Sequence, residues 1–110
     1  MDLVSAGFDW DRGNLEKCRR HGVEIADIEE LFRRILWVTP DPSNSTRQRR
    51  FRAIGTNARG RHIFVAFTLR SITDGMLIRP ISARYMHRRE IRHYEKQKIE
   101  AEKISAAEDK

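Results

Sequence analysis

Apolar residues along this chain recur first at helical spacing and then at strand spacing, and they thin out towards the end. Leu15 and Cys18 mark the inward side of a first helix that opens near Asp11 and runs to Arg20. Gly22, just after His21, supplies the left-handed residue that commonly ends a helix. A second helix starts at about Glu24. Ile25, Ile28, Leu31 and Phe32 fall at i, i+3, i+6 and i+7, and Glu24, Asp27, Glu29 and Glu30 make its opposite face acidic. Acids in the first turns also suit the helix dipole. Ahead of these helices, residues 3–8 form a short strand or an extended arm.

From Ile35 the period changes. Residues 35–39 are strand-like, and residues 40–45, with Pro40, Pro42 and Asn44, form a loop by turn chemistry. Residues 51–56 make the next strand and residues 57–60 its turn. Residues 61–69 are the strongest strand, whose continuous apolar centre predicts burial on both faces. Asp74-Gly75 marks a tight turn, and residues 76–82 return. Pro80 lacks a ladder donor, so this last strand lies at an edge or carries a bulge there. Residues 87–106 form a charged helix with an inward stripe of Ile91, Tyr94 and Lys98. The pattern predicts an α+β domain: two N-terminal helices packed on an antiparallel β-sheet meander, followed by a C-terminal helix.

Size and composition add limits. At 110 residues the chain is one domain's worth of sequence. No apolar run approaches membrane-spanning length, and the N-terminus lacks the features of a secretory signal. Cys18 is the single cysteine, which excludes an internal disulfide and a cysteine-rich zinc module. These features predict a cytoplasmic protein with no membrane association.

Charge changes the picture more. Residues 1–46 carry six Lys/Arg against nine Asp/Glu, whereas residues 47–94 carry twelve arginines, no lysine and only Asp74 and Glu90. Such asymmetry creates a directional field suited to a polyanion. Guanidinium presents fixed donors that match phosphate geometry better than a lysine point charge. Residues 79–94 concentrate this chemistry, with five arginines beside His87, His93, Tyr85 and Tyr94.

RNA can be cleaved by its own 2′-hydroxyl, given a group to take that proton, charge on the phosphorane oxygens and an acid for the leaving oxygen. Arg79 and Arg84 flank Ser82 and are the leading phosphate-directed candidates. His21 serves either as a proton-transfer group or as a cation at the helix C-terminus. These three form the candidate catalytic set. Arg61, Arg70 and Arg88 are candidates for RNA contact, Arg61 alternatively capping its hairpin. Lys17, Ser82, Glu90 and Tyr94 are supporting candidates, with Glu90 placed to hold an arginine and Tyr94 to stack a base or anchor the last helix. His62, His87 and His93 fit surface positions. A metal-dependent nuclease would need clustered carboxylates, and the cationic half offers too few. Asp9 and Asp11 fit helix capping better. No metal or other cofactor is expected.

The ordered set Phe8-Asp9-Trp10-Asp11, Asn14, His21-Gly22-Val23, Arg50, Ile54-Gly55, Gly60-Arg61, Thr68, Ile81-Ser82-Ala83-Arg84, Arg89-Glu90 and Tyr94 resembles the BrnT family of toxins from type II toxin–antitoxin modules. The resemblance covers roughly residues 8–95. It divides the chain into a toxin domain, 1–95, and a charged helical extension, 96–110. It implies a RelE-like ribonuclease fold, metal-independent endoribonuclease activity that inhibits translation and growth, and neutralisation by a cognate ribbon-helix-helix antitoxin. Operator DNA would be bound only through the antitoxin complex. The chain departs from the family pattern at Pro80, at Arg49 in place of an acid, in a longer hairpin over residues 70–76, and in a segment shorter by one residue before His21. The residues themselves also fit a non-catalytic nucleic-acid-binding domain in an autoregulatory complex, or an interaction protein whose basic face an acidic partner neutralises.

Overall fold

A computed structural model describes residues 7–34, 37–41 and 49–108, with side chains through residue 103. The expected strand start at residues 3–6, Ile35-Leu36 and most of the loop after Pro40 lie outside the described residues. The elements in chain order are β1 (Gly7–Phe8), α1 (Arg12–Arg19), α2 (Ile25–Leu31), β2 (Trp37–Pro40), β3 (Phe51–Thr56), β4 (His62–Ile72), β5 (Gly75–Tyr85) and α3 (Arg88–Glu108). The predicted α+β class holds.

The five strands form one sheet in the order β1-β5-β4-β3-β2. From β2 to β5 every neighbour is antiparallel, as the meander predicts. β1 corrects the expectation of an all-antiparallel sheet. It pairs parallel to β5 through Gly7↔Leu77 and Phe8↔Ile78, so the sheet is mixed. The Asp9 N–H continues that ladder by donating to the Ile78 carbonyl at 2.8 Å. A parallel pairing is open to β1 because a helical connection, not a hairpin, follows it.

Side-chain alternation sorts the sheet into two faces. On one, Ile63, Val65 and Phe67 of β4, Ala53 of β3 and Ala83 and Ile78 of β5 meet Cys18, Val23, Ile28 and Leu31 from the helical segment. Phe32 links this core laterally, edge-on to Phe8 at 5.9 Å and to Phe67 at 5.0 Å. Each large apolar side chain buried there contributes about 1.5–3 kcal/mol relative to exposure. Cys18 is fully buried, and burial pushes its thiol up to about 11, which leaves it unreactive.

α1 begins where expected, and for a reciprocal reason. The Asn14 N–H donates to Asp11 Oδ1 at 3.0 Å, and the Asp11 N–H donates to Asn14 Oδ1 at 2.7 Å, closing a capping box. The buried Asn14 amide also donates to the Pro80 carbonyl at 2.8 Å, which ties α1 to β5. Gly22 takes φ +82° after the helix, as its position predicted.

β5 carries a bulge at the proline. Ser82 pairs with Ala66 and Pro80 with Phe67, so Ile81 is an extra residue. Five residues apart, Arg79 and Arg84 would point to opposite faces of a regular strand. The bulge puts both on the face away from α1 and α2, opposite Thr68 and Phe64 respectively.

α3 crosses one end of that second face. Tyr94 is buried there, edge-on to Trp37 at 6.1 Å and to His62 at 6.0 Å, as its anchoring role predicts. The remainder of the expected stripe is corrected. Glu90, Tyr94, Gln97 and Ala101 line the side towards the sheet, while Ile91 lies on another flank and Lys98 is exposed. α3 also runs unbroken through the expected domain boundary after Glu95.

Candidate functional site

The second face of the sheet is a lattice of side chains in register. One row across the strands is Trp37, Ile54, Phe64 and Arg84, and the next is Thr39, Arg52, Ala66 and Ser82. Beyond them lies the pair Thr68 and Arg79, and then Arg70. The partners of Arg84 and Arg79 on β4 are four residues apart, about 13 Å of strand. Three strands thus contribute Arg52, Arg70, Arg79 and Arg84 to one surface.

Arg84 is held rigidly. Its Nη1 and Nη2 donate to Glu90 Oε1 and Oε2, both at 2.8 Å, and its guanidinium carbon lies 4.7 Å from the Phe64 ring centroid. Glu90 is the third residue of α3 and also accepts the His87 N–H at 3.0 Å, one half of a capping box. The Arg84 guanidinium, followed by the His87 N–H, pulls the Glu90 carboxyl down to about 2. The strand end, the helix start and the arginine therefore form one unit.

Arg79 is held differently. Its Nη2 donates to Asp11 Oδ2 at 2.7 Å and its Nη1 to Asp9 Oδ2 at 3.3 Å, and Arg70 Nη1 shares that Asp9 oxygen at 3.2 Å. The Asn14 N–H and then Arg79 hold the Asp11 carboxyl below its usual range. Capping, expected for Asp9 and Asp11, is shown for Asp11, which also anchors Arg79. Between these charges the Thr68 hydroxyl is buried with no hydrogen-bond partner.

The other candidates scatter. Ser82 stands between the two arginines on the same face, half-buried. Arg61 sits at the far turn with its guanidinium carbon 3.5 Å from the Tyr85 centroid, and its backbone N–H donates to Asn57 Oδ1 at 3.0 Å. Arg88 is exposed at the start of α3, and Lys17 is exposed on α1. His21 is exposed in the turn after α1 and makes no hydrogen bond or ion pair with Arg79 or Arg84. The structure therefore brings together Arg70, Arg79, Ser82, Arg84 and Glu90 of the expected set, and leaves His21, Lys17 and Arg61 outside it.

Sequence reasoning overlooked Arg52. It is half-buried at the centre of the face, and its Nε is buried without a hydrogen-bond partner. Its two-residue spacing from Ile54, which puts both on one face of β3, was the available signal. His93, expected at the surface, is exposed. With Arg89, this histidine lines a groove of about 730 Å³ between α3 and the sheet, floored by Trp37, Ile54 and Phe64. Among the described residues no group of three or more His, Cys, Asp or Glu side chains could hold a metal ion. No helix among them is long and apolar enough to cross a membrane.

Fold and site define a small α+β domain with one cationic sheet face, organised around arginines fixed by helix-terminal carboxylates. The family model for the ribonuclease toxin BrnT of type II toxin–antitoxin systems matches residues 10–90, and the chain belongs to this family. Membership gives it the role of a ribonuclease toxin with RNA as substrate and an antitoxin as partner. No curated protein matches the chain.

Proposed function

We propose that this chain is a metal-independent endoribonuclease whose reaction takes place on the open sheet face, by attack of the substrate's own 2′-hydroxyl on the adjacent phosphate. The observation that carries the reading is the Arg84–Glu90 unit, a rigid guanidinium at the mouth of a groove, on a face that also presents Arg52, Arg79 and Ser82. Attack forms the bond from O2′ to phosphorus, and the 5′ oxygen leaves with the P–O5′ electron pair. Arg84 stabilises charge on the non-bridging oxygens, a contribution worth about 10²–10³ in rate for one donor in comparable sites. Arg79 and Arg70 receive the neighbouring stretch of backbone, and Arg88 extends the cationic surface at the start of α3. Proton transfer falls to an imidazole. His93 in the groove wall stands on the same helix as Glu90, the partner of Arg84, whereas His21 stands beyond α1.

The same reading takes the fold as RelE-like, the compartment as cytoplasmic and the partner as a ribbon-helix-helix antitoxin that covers this face. Operator DNA is then contacted through the antitoxin complex. The test is incubation of the purified protein with RNA in EDTA. Fragments ending in 2′,3′-cyclic phosphate are expected, and RNA left intact at high enzyme concentration overturns the proposal.

A further inference from the structure

The groove under α3 has a composition that phosphate binding alone does not require. Its floor is a single row across the sheet, Trp37, Ile54 and Phe64, each only partly buried, and Tyr94 and Ala101 of α3 form the opposite wall. A partly exposed aromatic floor is a stacking surface, because every nucleobase offers a π-face of similar size. At about 730 Å³ the space falls within the roughly 300–1,000 Å³ typical of small-ligand sites.

Arg52 supplies the second requirement. It lines the same groove, with its Nε buried and without a hydrogen-bond partner, and no ion pair to it exists among the described residues. Of the two carboxylates that line the groove with it, Glu90 is taken by Arg84 and Glu100 makes no ion pair with Arg52. A partly desolvated cation is costly until an anion reaches it. Its neighbour in register is Ala66, whose small side chain leaves the surface low between Arg52 and Ser82. Arg84, packed over the Phe64 ring, stands at the edge of the same floor. A ligand with a flat apolar body joined to a phosphate satisfies all of these features together.

We infer that the groove seats one nucleobase of single-stranded RNA, stacked on Trp37 beside the Arg84–Phe64 pair, with the phosphate of that nucleotide at Arg52. The inference rests on the reading of this face as RNA-binding and gives it a base-recognition subsite next to Arg84. Cleavage would then be biased by the identity of the seated base. An apolar segment of a protein partner is the competing occupant, and it requires no nucleobase.

The test uses the full chain with a 2′-O-methyl RNA trinucleotide, which has no attacking hydroxyl, and the same trinucleotide with an abasic middle residue. Removing the base is expected to weaken binding about tenfold or more. The indole resonance of Trp37 should shift with the intact ligand, while that of Trp10 stays in place. Ala101→Trp, which fills the groove, should abolish the difference between the two ligands. Arg52→Gln should weaken both ligands alike. Circular dichroism checks that each variant is folded. Equal affinity for the intact and abasic ligands overturns the inference, as does a folded Ala101→Trp protein that still distinguishes them. Cleavage of ordinary RNA is scored separately. Cleavage without base discrimination removes the groove site and keeps the ribonuclease, and base discrimination without cleavage does the reverse.

Discussion

The middle and the C-terminal end of β5 present the same side chain held in two ways. In the middle, Arg79 divides its guanidinium between Asp9 and Asp11, and Arg70 competes for Asp9. At the end, Arg84 is gripped by both oxygens of Glu90, with its guanidinium carbon 4.7 Å from the Phe64 ring centroid. Both carboxylate holders sit at helix N-termini, Asp11 as the cap of α1 and Glu90 in the first turn of α3. The difference lies in what else each holder does. Asp11 closes a capping box, so Arg79 joins β5 to the α1 entrance and serves the fold as much as the surface. Glu90 takes the Nη1–Nη2 edge of Arg84 and fixes the guanidinium beside an open groove. The remaining N–H donors of Arg84 are left pre-organised, with little entropy to lose on binding phosphate.

That contrast can be broken most decisively at Arg84. Arg84→Ala should lower the rate of RNA cleavage about 100-fold or more while circular dichroism stays native, and Arg84→Lys should rescue little, because one ammonium cannot reproduce the fork. A folded Arg84→Ala protein with full activity would place the reacting phosphate elsewhere.

At Arg79 the expected effect is on stability. Asp11→Ala should lower the melting temperature by about 5 °C by removing a helix cap. Asp11→Asn keeps an acceptor for the cap and loses the charge facing Arg79, so it should fall between Ala and the parent. If the two substitutions melted alike, the ion pair rather than the cap would be the larger contribution.

Glu90→Gln sharpens the comparison through pH. The folded-state pKa of Glu90, about 2, is depressed below the ordinary value of 4.5. Its contribution to stability is therefore complete above about 4.5 and is lost as pH falls towards 2. The urea midpoint of the Gln variant should fall less steeply than that of the parent across this window, and parallel curves would contradict the assignment. The smallest effect belongs to Arg61→Ala. Its exposed stacking on Tyr85 is worth about 0.5–1 kcal/mol, so denaturant midpoints should move slightly and cleavage per folded molecule hardly at all.

Much of this was legible in the sequence because local rules and tertiary needs agree. Helices from Asp11 and Glu24, the strand at residues 51–56, the buried β4 and an irregularity at Pro80 all follow from period, capping and the missing proline donor. The parallel pairing of β1 was not legible. A two-residue strand carries no periodicity, and its partners Leu77 and Ile78 lie about seventy positions away. The helical stripe of α3 was misplaced because Glu90, Gln97 and Ala101 are not apolar anchors, and only the groove reveals that they face inward. Within the site, Arg79, Arg84, Ser82 and Glu90 could be named from composition and resemblance. For Arg52 the strand spacing gives only its face, and its importance comes from standing opposite Ala66 on a neighbouring strand.

The irregularity at Ile81 has a consequence for how this strand can change in length. It sets the parity of β5. Losing one residue there would turn over the half of the strand before it, carrying Arg79 into the apolar interior and Ile78 out into water. Adding residues at the tip between Ile72 and Gly75, by contrast, shifts neither arginine. Length variation should therefore be tolerated at the hairpin end and forbidden at the bulge, although both lie on one continuous strand.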